Sequence, residues 1–517
     1  MTLVIDLLDY GLRREPGREC ARDAQVSMTH LEVNEASHRI AHALRAAGLQ
    51  RGSRVGFFTL NCVPALVAMI GVFRAGAVWL PVHPRNLAQE NAAFLQDNGC
   101  ELLFFHSRMA EDAGKFAKTV PALKAMVCLD GCHPLGPSLE DWAAAHPSRF
   151  EDKGIRPDDI AWVKGTGGTT GRSKSVLVTQ SCAVALFSTF NWCLPLPEGH
   201  VTLVAAPISH GAGTYALCAL CNGGRVVLIE KAEPSAVLQA IRAHEITTVF
   251  LPPTVIYGML ALPEVRLSHY PSLHYLIYSA APMAPDKLGE AIAAFGPVLT
   301  QIYGQTEAPA MLSVLRPEDH FDGGGGLHRE RLRSCGKPTP FVELGIMDDE
   351  GNLLRPGEVG EIVVRGALVM KGYRDDPEET ARISRFGWHH TGDVGKRDGD
   401  GYFYIVDRAK DMIISGGFNI SPSDIERVIL SHPDVLDCAV IGAPDEKWGE
   451  AVTAVIEAKA GASPDVRQIE DFCRSELGGF RTPKRIEIWP SLPRSSVGKV
   501  LRKNVRERFW VGRERKV

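Results

Sequence analysis

The chain has 517 residues, 45% hydrophobic and 23% charged, a balance that suits two or more globular domains with their own cores and excludes a disordered or fibrous chain. A formal net charge of -4 is small for this length, so no overall field argues for nucleic acid or an anionic membrane, and any anion must be held locally. The twelve cysteines are scattered singly apart from Cys218 and Cys221, which suits a reducing cytosol better than a disulfide framework.

The first apolar residues are interrupted by Asp6 and Asp9 with no basic segment before them, unlike a secretory signal. From Arg54 to Val82 a β-like "VGFF" gives way to the helical "VPALVAMIGVFRAG" and then to a short strand, "AVWLPV", as in a βαβ unit. The longest apolar stretch, Cys62 to Phe73, ends at Arg74 after about twelve residues, too few to span a bilayer. The expectation is a cytoplasmic protein with no integral membrane segment. Six further β-rich runs follow, "IAWVKG", "VTLVAAP", "GRVVLIE", "ITTVFLPP", "LHYLIYSAA" and "VLTQIYG", with helical stretches such as "PSAVLQAIRAHE" and "PDKLGEAIAAFG" between several of them. Cys218 and Cys221 are expected on a buried helix. Four glycines at 323–326 predict a flexible surface loop. Near 340 the rhythm changes to "FVELGIMDDEGNLLRPGEVGEIVVRG", two alternating strands of a small antiparallel β unit. A second break comes near "YFYIVDRAKDMI". Beyond it, Ser421 before Pro422 caps a helix, and "LDCAVIGAP" and "VTAVIEAKA" supply strands. The whole reads as an α/β fold with a large N-terminal region over 1–409 and a separate, mobile α+β lid domain over 410–517. The basic tail after Arg502 reads as a solvated end rather than a nucleic-acid patch.

The stretch "KGTGGTTGRSKSV" at 164–176 concentrates bare backbone, hydroxyl groups and positive charge. Gly167, Gly168 and Gly171 let backbone N–H groups turn toward an anion, Thr166, Thr169 and Thr170 add donors, and Arg172 and Lys174 bring charge. That is the chemistry of a polyphosphate cradle, against the plainer alternative of a glycine-rich turn with threonine caps. It matches neither the P-loop pattern nor the dinucleotide fingerprint.

The stretch resembles the phosphate loop of the adenylate-forming superfamily, which contains acyl-CoA synthetases, aryl-CoA ligases, adenylation domains of peptide synthetases and firefly luciferase. "PISHGAG" at 207–213, "YSAAPM" at 278–283, "QIYGQTEA" at 301–308, "SCGKP" at 334–338, "HHTGDVG" at 389–395, "DRAKDMIISGGFNISPSDIE" at 407–426 and "PRSSVGKVLRK" at 493–503 follow in that family's order over nearly the whole chain. The resemblance implies an ATP-dependent ligase that activates a carboxylic acid as acyl-AMP and passes the acyl group to coenzyme A, with Mg²⁺ as cofactor. Handing the acyl group to a carrier protein or partner enzyme, and a catalytically silent nucleotide-binding homologue, are the alternatives.

Residue by residue, the resemblance places ATP on Thr166, Gly167, Gly168, Thr169, Thr170, Gly171 and Lys174. Ser279, Ala280, Ala281, Pro282, Gln301, Gly304 and Gln305 fall at the nucleotide, with Tyr303 offering a flat face to the purine and Thr306 a phosphate donor. Glu307 supplies a hard oxygen for Mg²⁺, and Asp393 and Arg408 take the ribose. His210, Gly211, Ala280 and Gly304 border the acyl pocket. Lys499 bridges carboxylate and α-phosphate in the transition state. Lys410 is the hinge, and Gly416 and Gly417 border the coenzyme A tunnel. Thr306, Glu307, His210 and Lys499 form the catalytic set. This chain departs from the family at Gly167 for Ser, Ser173 for Pro and Ser175 for Gly in the phosphate loop, and at Ser279 and Ala280 for a usual pair of glycines. "STFNWCLP" and "ISHGAGTYALCAL" are expected to line the acyl pocket. Neither holds a Lys or Arg to pair a second carboxylate, so the expected acid is an apolar monocarboxylic acid: medium-chain, aryl or alicyclic. The expected assembly is a monomer or homodimer.

Overall fold

The computed structural model describes residues 2–151, 154–166, 174–279, 281–408, 411–415, 418–445, 448–495 and 498–511. "VGFF" lies in strand Arg54–Phe58, and Val78–Val82 returns parallel to it with Arg54 opposite Val78. The helix between them, Val63–Arg74, carries Pro64 in its first turn, where a missing N–H costs nothing. It is buried on nearly every side, which is why its sequence shows no polar face.

These strands belong to a seven-stranded sheet. Five of its strands run parallel: Ile160–Gly165, Val78–Val82, Arg54–Phe58, Cys100–Phe105 and Ala125–Cys128. Ser175–Thr179 and Gly372–Tyr373 add antiparallel strands at one edge. A nine-stranded sheet takes up the other predicted runs, with Leu299–Tyr303, Tyr275–Tyr278, Thr248–Leu251, Val201–Val204, Arg225–Leu228 and Glu19–Arg22 mutually parallel. Helices cover both sheets, and the largest core cluster spans them, with Trp79, Trp162, Phe187 and Phe190 almost fully buried. Cys218 lies on the buried helix Gly211–Leu220 and Cys221 caps its end, and all twelve cysteines are free.

The small β unit is larger than its two expected strands. His389–Arg397 and Phe403–Arg408 join Val342–Met347 and Gly360–Gly366 in a four-stranded antiparallel sheet. "HHTGDVG" therefore lies within a strand, and Gly392 at φ +72° bends it there. In the C-terminal domain, Ser421 Oγ accepts from Asp424 N at 3.3 Å and caps helix Pro422–Leu430. That helix packs on strand Val435–Asp445, which pairs with Gly449–Ala458.

The glycine loop at 323–326 lies at the surface as expected, and Asp322 Oδ1 accepts from Gly324 N and Gly326 N, each at 2.9 Å. The basic tail after Arg502 is not all solvated: it continues helix Arg502–Phe509, where Val505 is buried and Trp510 Nε1 donates to Gly442 O at 2.8 Å, while residues 512–517 lie outside the described residues. The guanidinium of Arg502 itself meets Asp407 Oδ1 at 2.8 Å, the Glu426 carboxylate and Ser423 Oγ. Among the described residues, no helix is long and apolar enough to cross a membrane.

Candidate active site

Parallel strands deliver their carboxyl ends to one edge of a sheet, and ligands collect there. Thr166, Ala205, Glu230, Pro252, Ser279 and Gly304 each sit one or two residues beyond such a strand end. All six line one cleft of about 1650 Å³. The cleft also takes in Lys174, His210, Gln305, Thr306, Glu307 and Lys499. Residues separated by up to 333 positions, from Thr166 to Lys499, thus share one space.

On the phosphate side, Gly165 stands opposite Ser175 across an antiparallel pair, and Thr166 N donates to Lys174 O at 3.0 Å. Gly167, Gly168, Thr169, Thr170, Gly171, Arg172 and Ser173 lie outside the described residues. Lys174 Nζ pairs with the Glu379 carboxylate and stands 5.1 Å from the ring centre of Tyr373. The Arg382 guanidinium, and then Lys174, pull the Glu379 carboxyl down to about 2 against the desolvation that opposes them. Tyr373 Oη in turn donates to Glu307 Oε1 at 2.7 Å, and burial with the Glu307 charge raises the phenol. Tyr373 and Glu379 were not found from sequence, because nothing local marks them.

Magnesium is commonly held by one or two carboxylates plus substrate phosphates rather than by an all-protein cage. Glu307 fits that use: one oxygen is oriented by Tyr373, and the side chain borders the cleft.

On the nucleoside side, a Cβ on Gly304 would fall 2.2 Å from Ala310 O, so only glycine allows this wall to close. Tyr303 is 7% exposed and its hydroxyl donates to Asp393 Oδ2 at 2.8 Å. Asp393 stands opposite Arg408 in strand register, while the Arg408 side chain and Ala280 lie outside the described residues. Tyr303 and Asp393 sit directly behind the cleft wall formed by Gly304, Thr391, Gly392 and Val394. Ala281, Pro282 and Gln301 do not line the cleft, and Gln301 Oε1 instead accepts from Tyr278 Oη at 3.2 Å.

At the other end, His210, Gly211, Thr214, Tyr215, Leu186 and Phe250 form a largely apolar recess. Burial, reinforced by His83 and Lys164, keeps His210 well below the usual histidine range and so neutral. The expectation for "ISHGAGTYALCAL" holds in part, since its first half lines the recess. That for "STFNWCLP" does not: no residue of that stretch lines the cleft, and Trp192 is 71% exposed. Thr189, Phe190, Cys193 and Leu194 of that stretch are buried in the core instead, and Phe190 stacks on Tyr215 with ring centres 5.3 Å apart. A cation was also missed, because Lys164, on the strand before the glycine stretch, borders the same cleft.

Lys499 follows Gly498, whose φ of +84° favours glycine, and the turn is closed by Ser495 N donating to Lys499 O at 2.7 Å. A Cβ on Gly498 would lie 3.7 Å from Thr254 Oγ1, which sets the Lys499 turn against the N-terminal region. Lys410, Gly416 and Gly417 lie outside the described residues.

Residues 8–374 match the family described as AMP-binding enzyme, and residues 424–499 match the AMP-binding enzyme C-terminal domain. The medium/long-chain-fatty-acid–CoA ligase FadD8 of Mycobacterium tuberculosis is 34% identical, over 99% of this chain and 91% of that protein. A feruloyl-CoA synthase of Amycolatopsis sp is 36% identical, over 96% and 97%. Among solved structures, the amide bond synthetase McbA of Marinactinospora thermotolerans superposes with a TM-score of 0.88 at 31% identity, covering 98% of this chain and 100% of that one. Family matches over both segments, on a fold of large N-terminal and small C-terminal domains, establish that the chain belongs to the AMP-binding enzyme family of the adenylate-forming superfamily.

Proposed function

We propose that the chain is an AMP-forming acid–thiol ligase acting on a carboxylic acid with an apolar body. In the first half-reaction a carboxylate oxygen attacks the α-phosphorus of ATP in line, the bond to the β-phosphate oxygen breaks, and pyrophosphate leaves. In the second, the sulfur of coenzyme A attacks the acyl carbon and AMP departs. The observation that carries this reading is the convergence of Lys174, Thr306, Glu307, His210 and Lys499 on one cleft.

Lys174 and Thr166, with residues 167–171, hold the phosphates, and Thr306 donates to one of them. Glu307 would hold magnesium, which would supply positive charge against the departing pyrophosphate. Asp393 and Arg408 take the ribose hydroxyls and Tyr303 supports the purine side. Neutral His210 donates to or accepts from the acid's carboxylate without competing for its charge, while Gly211 and Gly304 leave room beside it. Lys499 offsets the charge that builds on carboxylate and α-phosphate. The division at about 409, with Lys410 as hinge, makes residues 410–517 a lid that presents Lys499 in one setting and a coenzyme A path near Gly416 and Gly417 in the other. Free cysteines throughout the described chain agree with a cytoplasmic setting.

Pyrophosphate exchange across a panel of carboxylic acids, followed by product analysis with coenzyme A, tests the proposal. Exchange with an apolar-bodied acid and thioester on adding coenzyme A is the expected result. Exchange without thioester, but with amide when an amine is supplied, favours the second reading that the likeness to the amide bond synthetase raises. Absence of exchange with every acid overturns both.

A further inference from the structure

Strand Ile160–Gly165 alternates its side chains, so Trp162 and Lys164 share one face. That face turns toward helix Gly211–Leu220 at the recess. Lys164 Nζ donates to Thr214 Oγ1 at 3.2 Å and stands 5.1 Å from the ring centre of Trp79 and 5.6 Å from that of Trp162. The two indoles meet edge to face at 6.3 Å, which fixes the aromatic corner that holds the ammonium. An ammonium carries three donors. Among the described residues, one hydroxyl acceptor and two aromatic faces meet it, and its remaining exposure is to the cleft.

Burial alone lowers this amine, to about 8, with no carboxylate among the causes. The group is therefore still mostly protonated at neutral pH, and it is a half-buried cation with donor capacity left over. Cations in such places are normally paired or hydrogen-bonded. Of the rest of the recess, Leu186 and Phe250 offer no acceptor, and neither neutral His210 nor the Tyr215 hydroxyl bonds Lys164 among the described residues, so the remaining donors are open to a group that enters the cleft.

We infer that Lys164 selects acids whose apolar body carries a neutral oxygen acceptor, a ketone or hydroxyl, within reach of its ammonium. A neutral oxygen accepts a charge-assisted hydrogen bond at modest desolvation cost. A second carboxylate would bring its own large desolvation cost into an aromatic recess, which the ion pair only roughly repays. The inference refines the expectation drawn from "STFNWCLP" and "ISHGAGTYALCAL", which contain no cation, because the cation comes from a strand outside both stretches. It rests on the ligase reading only for the direction in which the acid lies.

The test uses hexanoate and octanoate, each beside the acid of the same length with an oxo group on the penultimate carbon and the dicarboxylate of the same length. Binding is read by calorimetry without ATP, and pyrophosphate exchange is read separately. The full-length protein is expected to prefer an oxo acid over its hydrocarbon analogue by about tenfold in binding and in kcat/KM. Lys164→Met keeps the stem's packing and is expected to abolish that preference and raise the affinity for the hydrocarbon acid. Lys164→Arg, with charge and donors retained, is expected to keep part of it. A preference for the hydrocarbon acid in the unmodified protein, or an oxo preference that survives Lys164→Met, overturns the inference. So does a dominant preference for the dicarboxylate, which would assign Lys164 to a second carboxylate instead. Exchange that is absent for all acids while the Lys164-dependent binding preference persists overturns the ligase reading and leaves this inference standing; loss of both binding and exchange overturns both.

Discussion

Tyr303 and Asp393 lie 90 residues apart in the chain, yet the phenol of one donates to the carboxylate of the other at 2.8 Å. Tyr303 ends a strand of the nine-stranded sheet and Asp393 lies within a strand of the four-stranded one, so this bond ties the residue proposed for the purine to the one proposed for the ribose. A buried hydrogen bond to a charged acceptor contributes about 1.5–3 kcal/mol, and here it also fixes which way the carboxylate faces. Tyr303→Phe keeps the ring and removes the bond. It is expected to raise the KM for ATP about tenfold, with a smaller change in kcat, and to shrink the discrimination between ATP and 2′-deoxy-ATP. Steady-state kinetics with both nucleotides check this; a higher KM with unchanged discrimination would mean that the hydroxyl serves packing alone.

Lys174, at the far end of the glycine-rich stretch, is held by Glu379, which Arg382 also grips. A carboxylate at this point repels an incoming polyphosphate and competes for its lysine. Glu379→Gln keeps the shape and removes the charge, and is expected to lower the KM for ATP about threefold. Arg382 loses its ion pair in the variant, so a small drop in melting temperature accompanies the gain. A raised KM would instead make Glu379 a positioner that aims Lys174 at the phosphates.

The sheet architecture was legible because buried parallel strands are short apolar runs and helices between them start on prolines, as at Val63–Arg74 and Pro285–Phe295. Positions such as Thr306, Glu307 and Lys499 were legible because each sits in a motif, and the cleft gathers them. Three features were not. Lys164 reads in sequence as a residue before a glycine; its value comes from Trp79 and Thr214, brought to it by another strand and a helix. Tyr373 and Glu379 act on Glu307 and Lys174 across 66 and 205 residues. Arg502 stood out in sequence only as the residue before a basic tail, since its partners Glu426 and Asp407 lie 76 and 95 residues upstream. Local pattern reports burial and capping, whereas charge pairing between distant segments has no local signature.

Buried histidines make stability depend on pH in a defined window. Burial pushes His38, His83 and His389 down to about 4. The unfolded chain takes up protons near 6.5, and the native state refuses them until about 4. Stability is therefore full above about 6.5 and falls as pH drops toward 4, by up to about 1.4 kcal/mol per pH unit for each histidine. The Glu379 carboxyl, lowered to about 2, adds a loss in the same direction but only below its unfolded value near 4.5. The urea midpoint is expected to fall clearly from pH 7 to pH 5, and replacing His389 with Gln to reduce the slope. A flat midpoint over that range would show that these rings reach solvent and protonate in the folded state.

Asp407 and Arg502 lie on opposite sides of the proposed hinge at Lys410. Asp407 accepts from Arg502 at 2.8 Å and from Ser423 N at 2.9 Å, and Asp411 adds a third carboxylate after Glu426 around the same guanidinium. Rotation about residue 410 must strain or re-form this cluster, so the arrangement with Lys499 in the cleft is a distinct state rather than one point on a smooth path. Lys499→Ala is expected to slow adenylation by about 10²–10³, the scale for losing one preorganised donor, and to leave thioester formation from a supplied acyl-adenylate largely intact. Lys410→Pro fixes φ near one value and is expected to do the reverse: pyrophosphate exchange persists while thioester forms slowly, because the lid cannot turn. Each variant is measured twice, by exchange and by thioester yield from synthetic adenylate, with folding checked by circular dichroism. Opposite patterns in the two variants establish two lid settings. Equal loss of both activities in both folded variants would instead describe one fixed site, in which the Asp407–Arg502 cluster never has to break.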